Sequence, residues 1–285
     1  LAIRFVVRDV PPLEAAAIRF VVAGALLLGL AFVQKRTWPA DRNQWNALAV
    51  LSLTMMAIPY GLIFWAEQHV TSSMTAVLFS ALPLIVSLFT PLMTHHRVPR
   101  QAVFAMVIAF GGLLVLFYTG LSSSARTLMG GVAIVAAMVL SAWSVVYAKT
   151  RLQNIDPVVG TGLQLLFGSV ALLWGTWALE PQRHAAWTQS AVLAMAFLTL
   201  FGSCAAFVIY YWLLKKMHPY QLSTTSLIVP VVAVMEGAFI GREMIPPLML
   251  VAIAVVLGSV ATVLRAPVEL PSEDGRVLMI RERAE

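Results

Sequence analysis

The sequence predicts an all-α integral membrane protein, with ten transmembrane helices arranged as two inverted five-helix repeats and the first helix only partly present. Three observations carry the prediction. The 285 residues are 60% hydrophobic and only 11% charged, with a mean hydropathy of +0.86. A soluble domain usually carries about 25% charged residues, so much of this surface is expected to face lipid. Nine apolar runs each have the length, about 20 residues, that crosses a ~30 Å hydrocarbon core as a helix. The second half of the chain also repeats the first at a near-constant offset.

Taken in order, LAIRFVV before RDVPP reads as the last two turns of a helix that begins before this chain. It is too short for the apolar part of a signal peptide and has no cleavage site. The nine full runs follow at 13–33, 45–66, 72–94, 101–119, 128–148, 157–179, 187–214, 221–240 and 246–265. Each is expected to be helical, because unpaired backbone cannot face hydrocarbon. Lys and Arg sort by loop. Lys35, Arg36 and Arg42, then Arg97 and Arg100, then Lys149 and Arg151, then Lys215 and Lys216 mark alternate loops. The intervening 67–71 loop has no such residue, and 120–127, 180–186 and 241–245 have one each. Basic loops face the cytoplasm, so the 34–44 loop and both termini are expected there. Topology thus accounts for the net charge of +6, and nucleic acid is excluded as a partner. The polar tail 266–285 is expected to be poorly ordered. Cys204, the single cysteine, reads as a small core residue.

An offset of 147 places Pro83 on Pro230, Pro99 on Pro246 and Gly111 on Gly258, with apolar residues matching apolar ones across 60–118 and 207–265. PPLEAAAIRF at 11–20 is likewise similar to DPVVGTGLQL at 156–165. The predicted domains are a first repeat at 1–119, a second at 128–265 and the tail at 266–285. Five helices per copy is odd, so tandem copies must cross the membrane in opposite senses. Inverted repeats are a transporter architecture with the substrate site between them.

The repeat also resembles a known family. TAVLFSALPLIVSLFTPLMTHHRVPRQAVFAMVIAFGGLLVL and its partner STTSLIVPVVAVMEGAFIGREMIPPLMLVAIAVVLGSVATVL resemble the fourth and fifth helices of EamA repeats, in the drug/metabolite transporter superfamily. Pro230, Gly241, Glu243 and Gly258 fit that pattern with Arg242 inserted; Pro83 and Gly111 fit in the first copy, where His96 replaces the usual glutamate. RDVPPLEAAAIRF looks like the family's first junction and SAWSVVYAKTRL like its sixth helix. Within the family the chain is most similar to the YddG-like exporters of amino acids. The resemblance implies a central cavity bordered by helices one, three, four, six, eight and nine, and export of small metabolites or drugs from the bacterial cytoplasm.

Candidate residues follow from polar and aromatic types on those helices. Tyr60 and Phe64 lie four apart on the third helix, Trp143 and Tyr147 four apart on the sixth, and Ser203 and Tyr210 two turns apart on the eighth. Such spacings share a helix face, and aromatic walls with a few polar groups suit small amphipathic ligands. The alternative for each is packing or an interfacial belt. Phe79, Ser80, Thr224 and Thr225 precede Pro83 or Pro230, where proline frees a carbonyl and breaks the helix. Glu236 is an intramembrane carboxylate, a default functional candidate. It reads either as a cavity or proton-coupling group or as a residue reaching interfacial water. Arg19 and Glu14, near the outer end of the second helix, read as snorkelling or paired, and His95 and His96 as solvated loop residues.

A transporter therefore leads. A membrane enzyme lacks HExxH, GxSxG and any intramembrane aspartate, and a channel lacks a filter sequence. No cofactor or metal is called for. The expected cargo is a neutral amino acid, aromatic or other, with drugs or lipophilic cations as the runner-up. The predicted cavity helices hold one carboxylate, Glu236, and no lysine or arginine well inside the membrane, which argues against strongly anionic cargo. A monomer in the bacterial inner membrane, with protons as an open possibility for coupling, completes the expectation.

Overall fold

A computed structural model describes residues 2–94, 96–117, 125–180, 185–232, 247–266, 268–270 and 278–280. Among the described residues the apolar runs are largely helical. They are α1 (Ala2–Asp9), α2 (Pro12–Val33), α3 (Arg42–Ala66), α4 (Ser72–Phe79), α5 (Leu82–Thr94) and α6 (Arg100–Phe117). Then come α7 (Ala125–Arg151), α8 (Pro157–Leu179), α9 (Gln189–Lys216), α10 (Pro219–Ser223), α11 (225–232) and α12 (Pro247–Arg265). In the tail, β1 (Val268–Leu270) pairs antiparallel with β2 (Leu278–Ile280). Among the described residues, six helical segments are long and apolar enough to cross a membrane: α2, α3, 74–94, α7, α8 and α9. The protein is a multi-pass membrane protein.

Two compact units are each assembled from two stretches of chain. The first is Leu1–Ser72 with Ser123–Met217, the second Ser73–Ser122 with His218–Glu285.

In the first unit, α2 and α8 form the most extensive helix pair. Small residues let them approach: a Cβ added to Gly24 would lie 2.7 Å from Leu166, and one added to Gly162 would lie 2.6 Å from Leu28. Close backbone approach of this kind supplies packing where apolar burial is no drive, since lipid is equally apolar. Both ends of the pair are tied. Glu180, just past the C-terminus of α8, accepts from the amides of Leu13 (3.2 Å) and Glu14 (3.4 Å) at the start of α2. Asp156 accepts from Val158 and Val159 at the start of α8. It also pairs with Arg36, just past α2, at 3.0 Å. Each carboxylate meets the positive end of a helix dipole and its unpaired amides. The start of one helix lies by the end of the other, so α2 and α8 are antiparallel.

The loops of this unit gather accordingly. At one end Arg36 meets Asp156, and Lys149 donates to the carbonyls of Leu214 (2.7 Å) and Lys215 (3.0 Å). At the other, Asp9 accepts from Thr188 at 2.7 Å and Thr127 from the 125–127 stretch reaches the carbonyl of His69. Trp174 and Trp177 of α8 are exposed, as residues of a lipid belt are.

Two helices of this unit carry a wide turn. In α3 the amide of Ile58 bonds the carbonyl of Leu53, and in α9 that of Ala206 bonds Phe201. Both are five-residue steps, so Ser52–Ala57 and Leu200–Ala205 are π-turns, which insert a residue and loosen the carbonyl ladder.

The second unit packs α6 against α12, with Ala109, Leu227, Val231, Val256 and Val260 at its core. Its α4–α5 helix is interrupted at Ser80–Ala81, three residues before Pro83. A proline near the start of α5 leaves no amide to bond backward.

Candidate functional site

The first unit brings together groups from α2, α3, α8 and α9. At its centre is Arg19, which is 2% exposed. It does not snorkel. Its Nε donates to Ser203 Oγ at 2.7 Å and its Nη2 to the carbonyl of Gly202 at 2.9 Å, both on the π-turn of α9. Its Cζ lies 5.4 Å from the Tyr60 ring and 5.7 Å from that of Phe20, a range in which a ring face attracts a cation. Ser203 stands at the midpoint of the 28-residue span of α9. An arginine of α2 therefore reaches the middle of an apolar span, which weakens the argument against negatively charged cargo. Sequence spacing missed it because Arg19 lies only two turns into α2 and its reach is set by α9.

Rings extend from this centre. Tyr60 packs edge-on against Phe20 (5.1 Å) and Phe207 (5.7 Å). One turn beyond Phe207, Tyr211 donates to Gln164 at 2.7 Å and touches Met55 Sδ at 3.1 Å. Gln164 itself is fully buried and donates to the carbonyl of Gly160. Tyr210 packs edge-on to Tyr211 at 6.0 Å. Of the sequence-selected residues, Tyr60, Ser203 and Tyr210 fall in this region. Arg19, Gln164 and Tyr211 are additions that only packing reveals.

Phe64 is 0% exposed, while Tyr60, one turn before it on α3, is half-buried. Trp143 and Tyr147 stack on α7 with ring centres 4.9 Å apart and planes at 14°. Beside Trp143, Ser144 donates to Thr54 on the π-turn of α3 at 2.9 Å.

In the second unit the selected hydroxyls are occupied locally. Ser80 donates to Val77, Thr224 to Gln221 and Thr225 to Leu222, each to a carbonyl three residues back. Ser80 and Thr224 are buried, Thr225 is exposed and Phe79 is half-buried. Pro83 and Pro230 are buried. Glu236 lies outside the described residues, as do Gly241, Glu243 and His95. His96, expected to be a solvated loop residue, instead has a buried Nδ1 without a hydrogen bond among the described residues, and its ring packs edge-on to His218 at 5.9 Å.

A cavity of about 660 Å³ lies elsewhere in the first unit, between the start of α2, the end of α3 and the end of α8. Leu13, Leu62, Trp65 and Leu172 supply apolar wall, and Gln68 and Glu180 are its polar members. Its size falls in the range that holds drug-sized molecules.

Comparison with known proteins gives a consistent picture. A model described as the EamA-like transporter family matches residues 1–118 and 128–265. The chain is 28% identical over 262 residues to the uncharacterized inner membrane transporter YedA of Escherichia coli strain K12, covering 92% of this chain and 84% of that protein. It is 24% identical over 260 residues to Protein PagO of Salmonella typhimurium, covering 90% and 86%. Identity is also 24% to the uncharacterized transporter YoaV of Bacillus subtilis, over 239 residues, 83% of this chain and 82% of that protein. One solved crystal structure shares the fold with a TM-score of 0.75 at 18% identity, covering 90% of this chain and 89% of its own.

Proposed function

Because the chain belongs to the EamA-like transporter family and is a membrane transporter, we propose that it exports small metabolites, foremost neutral amino acids, across the bacterial inner membrane by alternating access. The observation that carries this reading is the antiparallel α2–α8 pair. These two helices correspond by the 11–20 and 156–165 match, and their opposite sense is what two inverted repeats require. The π-turns agree with it: they begin at Ser52 and Leu200, 148 residues apart, one more than the offset of 147. In this reading the chain holds two five-helix repeats, 1–119 and 128–265. The 34–44, 149–156 and 214–220 loops face the cytoplasm.

The cargo site of the reading includes the Tyr60, Ser203 and Tyr210 region, with Trp143 and Tyr147 as an aromatic wall. Apolar walls with a few polar groups fit a zwitterion bearing an apolar side chain. The breaks near Pro83 and Pro230 and the two π-turns supply points at which helices can bend.

Flux of labelled amino acids in proteoliposomes, aromatic against small, with and without a pH gradient, tests the reading. Saturable, competable flux is expected. Flux indistinguishable from protein-free vesicles for every amino acid would remove amino acids as the cargo. A second reading, export of lipophilic cations, is favoured by the 660 Å³ cavity with Glu180 among its walls. Uptake of a labelled quaternary phosphonium by the same vesicles separates the two.

A further inference from the structure

From the surroundings of Arg19 we infer that its guanidinium anchors a carboxylate of the transported molecule, an inference that deepens the amino-acid reading and rests on it. The argument begins with cost. A charge buried in a membrane protein loses several kcal/mol of hydration unless a counter-charge and hydrogen bonds replace it. Arg19 is 2% exposed, and no carboxylate of the described residues lies within 4.0 Å of it. Its hydrogen-bond partners are neutral, the hydroxyl of Ser203 and the carbonyl of Gly202, and the Phe20 and Tyr60 rings beside it carry no formal charge. A purely structural tie between α2 and α9 needs only those two bonds, which a neutral donor would make without the charge penalty.

Donor arithmetic points the same way. A guanidinium offers five N–H groups in a planar fork, and the two bonds to α9 use one on Nε and one on Nη2. Nη1 donates to no described residue. The fork geometry matches a carboxylate in a bidentate pair. Tyr60 forms the neighbouring wall, its ring 5.4 Å from Cζ and its phenol making no hydrogen bond among the described residues, so a polar group stands ready beside the unused donors. The placement is membrane-central through Ser203 at the middle of α9, the depth at which carriers of this architecture hold cargo. An ammonium ligand would be repelled here, and a carboxylate supplies the missing charge.

The test compares each acid with its carboxyl-blocked partner on the purified full chain. Binding of phenylalanine, phenylalaninamide and phenethylamine is measured by titration, together with phenylacetate against phenylacetamide. The wild type is expected to bind the acids roughly 10- to 100-fold more tightly than their blocked partners, the span of a charge-assisted hydrogen bond. Arg19→Gln should abolish that preference, and Arg19→Lys should keep part of it. Equal binding of acid and amide by the wild type overturns the inference even if Arg19→Gln does not fold, as does an acid preference surviving in Arg19→Gln. If phenylacetate binds but phenylalanine does not, the anchor stands and the amino-acid reading falls. If no acid in the set binds, the anchor itself is rejected.

Discussion

Trp143 and Tyr147 show how a residue-scale role is read. A ring pair stacked at 4.9 Å gains about 0.5–1.5 kcal/mol from mutual packing, and an amphipathic ligand can take up the same ring face. If Trp143 lines the cargo site, Trp143→Ala should weaken substrate binding roughly 2- to 10-fold, the equivalent of that energy, without lowering the yield of folded protein. Unchanged affinity would make it a packing residue. Glu236 makes a separate prediction. Should it carry a coupling proton, Glu236→Gln will transport at a rate indifferent to an imposed pH gradient while binding is kept. Gradient dependence equal to the parent's in proteoliposomes would end that role.

At the scale of elements, close helix approach depends on glycines that differ in what surrounds them. Gly168 of α8 faces the π-turn of α3, where an added Cβ would lie 3.0 Å from the carbonyl of Ser52 and 3.0 Å from Met56 Cβ. Backbone cannot swing aside as a side-chain tip can. Gly168→Ala should therefore destabilise by roughly 1–3 kcal/mol, the usual cost of overpacking, visible as an earlier thermal loss of the monodisperse protein in detergent. Gly111→Ala is the control. Nothing lies within 4 Å of a Cβ there, so the helix should gain by about 0.5–1 kcal/mol from the lost flexibility. Equal melting of Gly168→Ala and the parent would mean that α3 and α8 have slack.

For the whole molecule, the two ends of the first unit imply opposite sides of a bilayer. Gln153 and Trp187 are both exposed, one beside the Arg36–Asp156 end and the other beside the Asp9–Thr188 end. In a Cys204→Ala background, Gln153→Cys should react with an impermeant maleimide only in inside-out vesicles, and Trp187→Cys only in intact spheroplasts. Labelling of both from one side would contradict a membrane-crossing α8. Such sidedness follows from basic loops being retained in the cytoplasm.

Much of this was legible in the sequence because the bilayer imposes a length and a polarity on every crossing. The apolar runs at 13–33 and 157–179 became α2 and α8 with ends displaced by at most one residue. The 72–94 run also carried its own break in Pro83. Charge alternation marked the loops that meet at the Arg36–Asp156 end. What the sequence by itself determined was therefore the membrane class and the apolar helices of the described residues. Arg19, Gln164 and Tyr211 were decided only by tertiary structure. Each depends on a residue 47 to 184 positions away, and no local spacing encodes which helix comes to lie opposite. Phe64 and Tyr60 make the same point on one helix face, since the neighbours of α3, and not its periodicity, bury the one and leave the other half-open.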